Sequence, residues 1–228
     1  MNKVVISRQG MIKSLMYIVS FLLLFGFVGV VLQYVVGSFR ELGVIESKII
    51  NTFDFAREGN MPALFNTLLM ALIALFLIII WKFSGDELRG HSWLFLGILA
   101  LLLAYDEYAG VHESIARNLP DHVPQLYFVI PYAITAIVVG LLFLPIFLKL
   151  DTHLQILMIS AAVIWVIGAM DSLRLVANAI GLNGESGVLG TVATIGEELL
   201  EMFGLIMLAN ALGSIVGRFN NITLEFCE

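Results

Sequence analysis

The sequence predicts an all-α, polytopic membrane bundle of six transmembrane helices, with a short interfacial helix after the first. Sixty per cent of the 228 residues are apolar, 13% are charged, and the mean hydropathy is +0.97. Soluble domains carry charge on about a quarter of their residues. Several apolar runs reach the ~20 residues that cross a bilayer core of about 30 Å. We therefore expect a single integral membrane domain over residues 1–228.

The six predicted spans follow from the apolar runs and from the signals at their ends. The first run is too long for a cleaved signal peptide and lacks a small-residue cleavage pattern. The second opens at Met61-Pro62, where proline suits a first helical turn. In loop 38–60 apolar residues recur at helical spacing, which predicts a short helix on the membrane surface. The predicted spans are 12–37, 61–82, 92–114, 125–149, 153–180 and 190–216.

The distribution of Lys and Arg predicts that both termini are cytoplasmic. The side with the termini and the 83–91 and 150–152 connections holds seven of these residues, against four on the other side. The lipid bilayer is the expected partner, and other membrane subunits remain open. Nucleic-acid binding is excluded because the chain has neither a basic stripe nor a stacking motif. The single cysteine, Cys227, excludes a disulfide framework and a thiolate metal site within one chain.

Ionisable side chains inside the predicted spans indicate where function lies. A charge at a helix centre costs at least ~2.5–3.5 kcal/mol in a bilayer, so such residues usually face the bundle interior. Ten ionisable residues lie in or at the edge of the spans: Glu58, Asp106, Glu107, His112, Glu113, Asp171, Arg174, Glu197, Glu198 and Glu201.

Depth and helical phase group these residues. Asp106, Asp171 and Glu198 come from three different helices, and each lies about 10–15 Å below the predicted outer end of its helix. Residues seven apart, such as Asp106 and Glu113, return to within about 20° of one helix face, and the four-residue spacing of Glu197 and Glu201 also shares a face. We therefore expect one acidic site in the outer half of the bundle.

So many carboxylates in one apolar layer require protonation, pairing with Arg174, or a metal ion. The predicted cofactor is a divalent metal, with Fe, Mn, Zn, Mg and Ca all open, although an oxygen-rich ligand set disfavours a structural zinc or copper site. The predicted metal ligands are Asp106, Glu113, Glu197 and Glu201. Catalytic roles are predicted for His112, as ligand or general base, and for Asp171 and Arg174. Supporting roles are predicted for Glu58, Asn60, Glu107 and Glu198.

Short segments resemble the alkaline ceramidase-like membrane hydrolases of the CREST superfamily. Glu58-Gly59-Asn60 with Phe65-Asn66-Thr67 resembles the loop and first motif helix of that family, Tyr105-Asp106-Glu107 its Asp-Glu pair, and Asp171-Ser172-Leu173-Arg174 a later Asp-containing stretch. Where the family has a zinc-binding His-x-x-x-His, this chain has Glu197-x-x-x-Glu201. The resemblance implies a metal-dependent membrane hydrolase with carboxylates in place of the zinc imidazoles. The chain also resembles bacterial multi-pass membrane proteins of unknown function, which implies the bacterial inner membrane.

Three classes of function stay open on these grounds. A metal-dependent membrane enzyme, a hydrolase or an oxidoreductase, would use the acids as metal ligands. A proton- or cation-coupled transporter would use them as its coupling site. An accessory subunit of a larger membrane complex would have them paired by its partner or would hold a structural cation with them. The enzyme is slightly favoured, because no pair of helices broken by Gly or Pro is visible at mid-membrane.

Overall fold

Helices form all the regular structure that the computed structural model describes, which covers residues 8–55, 59–84, 87–111, 126–169, 173 and 187–219. Seven helices lie in these ranges: α1 Arg8–Val31, extended by a π-helical turn over Leu32–Val36, α2 Val44–Thr52, α3 Met61–Phe83, α4 Glu87–Ala109, α5 Leu126–Phe147, α6 Thr152–Ala169 and α7 Gly187–Val216. The all-α class predicted from the sequence is confirmed.

Five of these helices are long and apolar enough to cross a membrane, as expected of an integral membrane protein. They cover Arg8–Val36, Met61–Phe83, His91–Ala109, Thr152–Ala169 and Gly187–Val216. A shorter apolar helix spans Ile134–Phe147, inside α5. The structure thus supports five of the six predicted spans by length and composition.

The helix of loop 38–60 is present as α2, and its start is fixed by two polar contacts. The Glu46 carboxylate accepts the backbone N–H of Gly43 at 2.6 Å and also pairs with Arg40. The Arg40 hydrogen bond and then the Gly43 N–H lower the pKa of Glu46 from its ordinary value. The stabilisation of the folded state by the ionised Glu46 carboxylate is therefore present at neutral pH, and it is lost as the pH falls through the lowered pKa of Glu46.

Gly110 explains why α4 ends earlier than the predicted span 92–114. Its backbone has a φ of +58°, the left-handed conformation that favours glycine just after a helix. Its N–H still donates to the Asp106 carbonyl at 2.8 Å, which closes the last turn. The helix of the third predicted span therefore ends at Ala109, three residues before His112.

The core of the bundle lies between α3, α4, α6 and α7. α3 packs along both α4 and α7, and α6 packs along α7, whereas α5 touches α4 only lightly. Glycines allow two of these approaches. A Cβ on Gly97 of α4 would lie 3.1 Å from the Ile78 side chain of α3. A Cβ on Gly204 of α7 would lie 2.7 Å from the Trp165 Cβ of α6. Small residues at helix interfaces are typical of membrane bundles.

A methyl group at Gly204 should separate α6 from α7. The added Cβ would also lie 2.8 Å from the Trp165 backbone nitrogen and 2.9 Å from the Ala161 carbonyl oxygen, which cannot rotate away. We expect Gly204→Ala to lower the melting temperature of the detergent-purified protein by about 3–10 °C. Gly140→Ala on α5 is the matched control, because nothing lies within 4 Å of its Cβ position. Equal melting temperatures for the two variants would contradict this packing.

Candidate metal centre

Three carboxylates from two helices meet near the end of the bundle that carries α2. One oxygen atom from each of Glu107 on α4 and Glu198 and Glu201 on α7 lies within 4.8 Å of the other two. All three side chains are half-buried. We refer to Glu107, Glu198 and Glu201 as the carboxylate cluster.

Asn66 of α3 connects the third helix to this cluster. Its Nδ2 donates to Glu107 Oε1 at 3.2 Å and to Glu198 Oε2 at 3.3 Å. The residue is fully buried, with 0% of its surface exposed. In the part of the chain that the structure describes, Asn66 Oδ1 accepts no hydrogen bond. A buried polar atom without a partner costs about 1–3 kcal/mol.

The cluster lies on the same helix faces as the apolar core. On α3 the buried residues Leu69, Ile73, Leu77 and Ile80 follow Asn66 at intervals of three and four residues. On α7 the buried Leu205, Ala209 and Leu212 follow Glu198 and Glu201 at the same kind of spacing. On each helix, therefore, the face that packs in the apolar core also carries the polar residues of the site.

On α4 the buried face likewise continues to Glu107 and not to its neighbour Asp106. Trp93, Gly97 and Ala104 are buried there, and Glu107 is the next residue at helical spacing after Ala104. Asp106 is rotated by about 100° from Glu107 around the helix. It is half-buried but does not belong to the carboxylate cluster. The small residues Gly97 and Ala104 thus identify the face of α4 that points inward.

Close packing of α6 against α7 fixes the height of Glu201. A Cβ on Gly168 of α6 would lie 2.7 Å from Glu201 Cγ and 2.8 Å from the Glu201 backbone nitrogen. It would also lie 2.7 Å from the Glu197 carbonyl oxygen. Only a residue without a side chain fits between the two helices at this level, so Gly168 is a positioning residue for the cluster.

The spacing and chemistry of these atoms fit a hard divalent cation. Three oxygens no more than 4.8 Å from one another lie within about 2.8 Å of a common centre, close to the 2.3–2.6 Å of a calcium–oxygen bond. Oxygen ligands suit Mg²⁺, Ca²⁺ and Mn²⁺. Rotation of the Asn66 amide by 180° would turn Oδ1 toward an ion held by the carboxylates. A fourth oxygen ligand is thus within reach.

The structure distributes the residues singled out from the sequence as follows. Of the predicted metal ligands, Glu201 belongs to the cluster, while Asp106 lies beside it and Glu197 is 3% exposed next to it on α7. The residues predicted to support the site, Glu107 and Glu198, provide the other two carboxylates. The remaining predicted residues Glu58, His112, Glu113, Asp171 and Arg174 lie outside the described residues.

Asn60, predicted to support the site, caps α3 in this structure. Its Oδ1 accepts the Ala63 N–H at 3.0 Å, and its Nδ2 donates to the Asp54 carbonyl oxygen. Sequence reasoning did not include Asn66 among the site residues. Its signal is visible in the sequence, because an amide at that position interrupts the apolar stripe of α3.

Comparison with known proteins assigns the chain to one family. Residues 15–215 match the family described as domain of unknown function DUF8692. No curated protein matches the sequence. No solved structure matches it either. Because the match covers most of the chain, this protein is a member of the DUF8692 family.

Proposed function

We propose that this protein is a divalent-cation-dependent membrane enzyme whose metal site is the carboxylate cluster together with Asn66. The observation that carries the proposal is the meeting of three carboxylate oxygens within 4.8 Å beside the buried amide of Asn66, which donates to two of the three carboxylates. Glu107, Glu198 and Glu201 would hold the ion, and Asn66 would supply a fourth oxygen. A bound cation at this place would act as a Lewis acid toward a polar group of the substrate.

The position of the site supports an enzyme rather than a coupled transporter. Asn66 lies in the second turn of α3 and Glu107 in the last turn of α4, so the cluster is close to one end of these two helices, while Glu198 and Glu201 lie midway along the longer α7. Within the described residues α3, α4 and α7 run through the site as continuous helices. Coupled transporters place their ion sites near mid-membrane between interrupted helices. A site near the membrane surface suits a substrate that arrives from the lipid headgroup layer or from water.

The wider arrangement that we propose has α5 as a sixth membrane span and α2 on the membrane surface. Both termini would be cytoplasmic, in the inner membrane of a bacterium, so that the cluster lies in the outer half. The predominance of Lys and Arg on the side of the termini supports this orientation.

Saturating Mn²⁺, Ca²⁺ or Mg²⁺ should stabilise the purified protein relative to excess EDTA. At a concentration of 100 times Kd a cation that binds only the folded state adds about 2.7 kcal/mol, which corresponds to a rise in melting temperature of about 5–10 °C. We expect the double variant Glu198→Gln with Glu201→Gln to lose this rise, because it removes two of the three carboxylates. Glu41→Gln, in the exposed loop before α2, should keep the full rise.

Two results would contradict the proposed site. The first is a wild-type melting temperature that no divalent cation raises. The second is a cation-induced rise that persists in the double variant. Reconstituted vesicles give a separate test of the enzyme class: a cation flux that is lost in Glu201→Gln would identify a transporter instead.

Asn66→Leu should weaken cation binding without changing the charge of the site. The substitution keeps the branched shape of the side chain and removes both the hydrogen bonds to the cluster and the oxygen that would face the ion. Loss of such a group lowers metal affinity about 10–100-fold. Isothermal titration with Mn²⁺ measures the effect, with Asn51→Ala on the exposed face of α2 as the control. An unchanged Kd in Asn66→Leu would remove Asn66 from the site.

A further inference from the structure

A groove of about 820 Å³ lies between α2 and the adjoining ends of α3 and α4. Ser47, Lys48 and Asn51 line it from α2, and Leu64 lines it from α3. Tyr108 of α4 closes another side. The volume falls within the range of about 300–1,000 Å³ that is typical of small-molecule sites. The groove shares no residue with the carboxylate cluster, so it is a second feature of this end of the bundle.

The groove lies where the membrane helices meet the headgroup layer. Leu64 is in the first turn of α3 and Tyr108 in the last turn of α4, two helices that are long and apolar enough to cross a membrane. α2 and the segment before it expose large apolar side chains: 86% of Val44, 76% of Ile45 and 85% of Phe39. Such residues on a short helix beside membrane spans favour insertion at the lipid surface. Tyrosine is likewise enriched at this level.

The side chains that line the groove indicate which kind of ligand group it suits. Lys48 is the charged side chain among the described residues that line it, and those residues include no carboxylate. The nearby Glu46 is paired with Arg40 and accepts the Gly43 N–H, so its charge is already engaged. Ser47 and Asn51 add neutral hydrogen-bond donors. A cation with neutral donors around it suits a phosphate group.

Apolar residues line the part of the groove that α3 contributes. Leu64 and Met61 of α3 line the groove and keep 37% and 40% of their surfaces exposed. They lie toward the membrane interior from the Lys48 level if α2 rests on the lipid surface. We propose that the groove binds one anionic phospholipid of the surrounding leaflet, with its phosphate at Lys48 and an acyl chain along Met61 and Leu64.

Native mass spectrometry of the full-length protein tests this proposal after delipidation and titration with phosphatidylglycerol or phosphatidylcholine. We expect one phosphatidylglycerol to bind more tightly than phosphatidylcholine, and Lys48→Gln to weaken its binding about fivefold. Leu64→Trp should block both lipids by filling the groove. Lys82→Gln, at the opposite end of α3, is the matched control and should bind as the wild type does. Melting temperatures of the lipid-free variants confirm that each one is folded.

Several outcomes would overturn the lipid site. One is equal affinity for the two lipids, and another is unchanged phosphatidylglycerol binding in Lys48→Gln and Leu64→Trp. A third is competition by inorganic phosphate at equal concentration, which would indicate a site for free phosphate. The titration is repeated in EDTA. Because the groove and the carboxylate cluster share no residue, lipid binding that persists in EDTA and in Glu201→Gln keeps this inference separate from the proposed metal site.

Discussion

The placement of carboxylates on the inward faces of membrane helices is the constraint on which the rest of the structure depends. An acid that faced lipid would cost several kcal/mol, so Glu107, Glu198 and Glu201 have to face other protein groups. Each continues the stripe of residues that packs the core of its helix. The packing that holds the bundle together therefore also sets the distances between the carboxylates, which are short enough for one shared ion.

Small residues make those distances possible. Gly97 brings α4 close to α3, and Gly168 brings α6 against the backbone of α7 beside Glu201. Helices gain little from the hydrophobic effect within lipid, so close van der Waals contact carries much of their association. Gly168, next to Glu201, therefore contributes to stability and to the geometry of the cluster at one position. Among the described residues α5 contacts α4 only lightly, whereas α7 contacts α1, α3 and α6.

Sequence patterns predict the helices well and the site less completely. Apolar runs predict the long helices because length and hydropathy are local properties. The predicted layer of acids includes Glu107, Glu198 and Glu201, which the structure brings together. The choice between Asp106 and Glu107 depends on how α4 is rotated. That rotation is set by contact with α3 through Gly97 and Ala104 rather than by the acids themselves. Asn66 is neutral, so the charge pattern of the sequence does not reveal it, although it donates hydrogen bonds to Glu107 and Glu198.

X-ray diffraction from crystals soaked in Mn²⁺, collected at the manganese absorption edge, shows whether the carboxylate cluster holds an ion. We predict one anomalous peak between Glu107, Glu198 and Glu201, at metal–oxygen distances of about 2.0–2.6 Å and with Asn66 Oδ1 turned toward it. The peak should vanish in the double variant Glu198→Gln with Glu201→Gln. An anomalous map of the soaked wild type with no peak at the cluster, or with its strongest peak elsewhere in the bundle, would contradict the account.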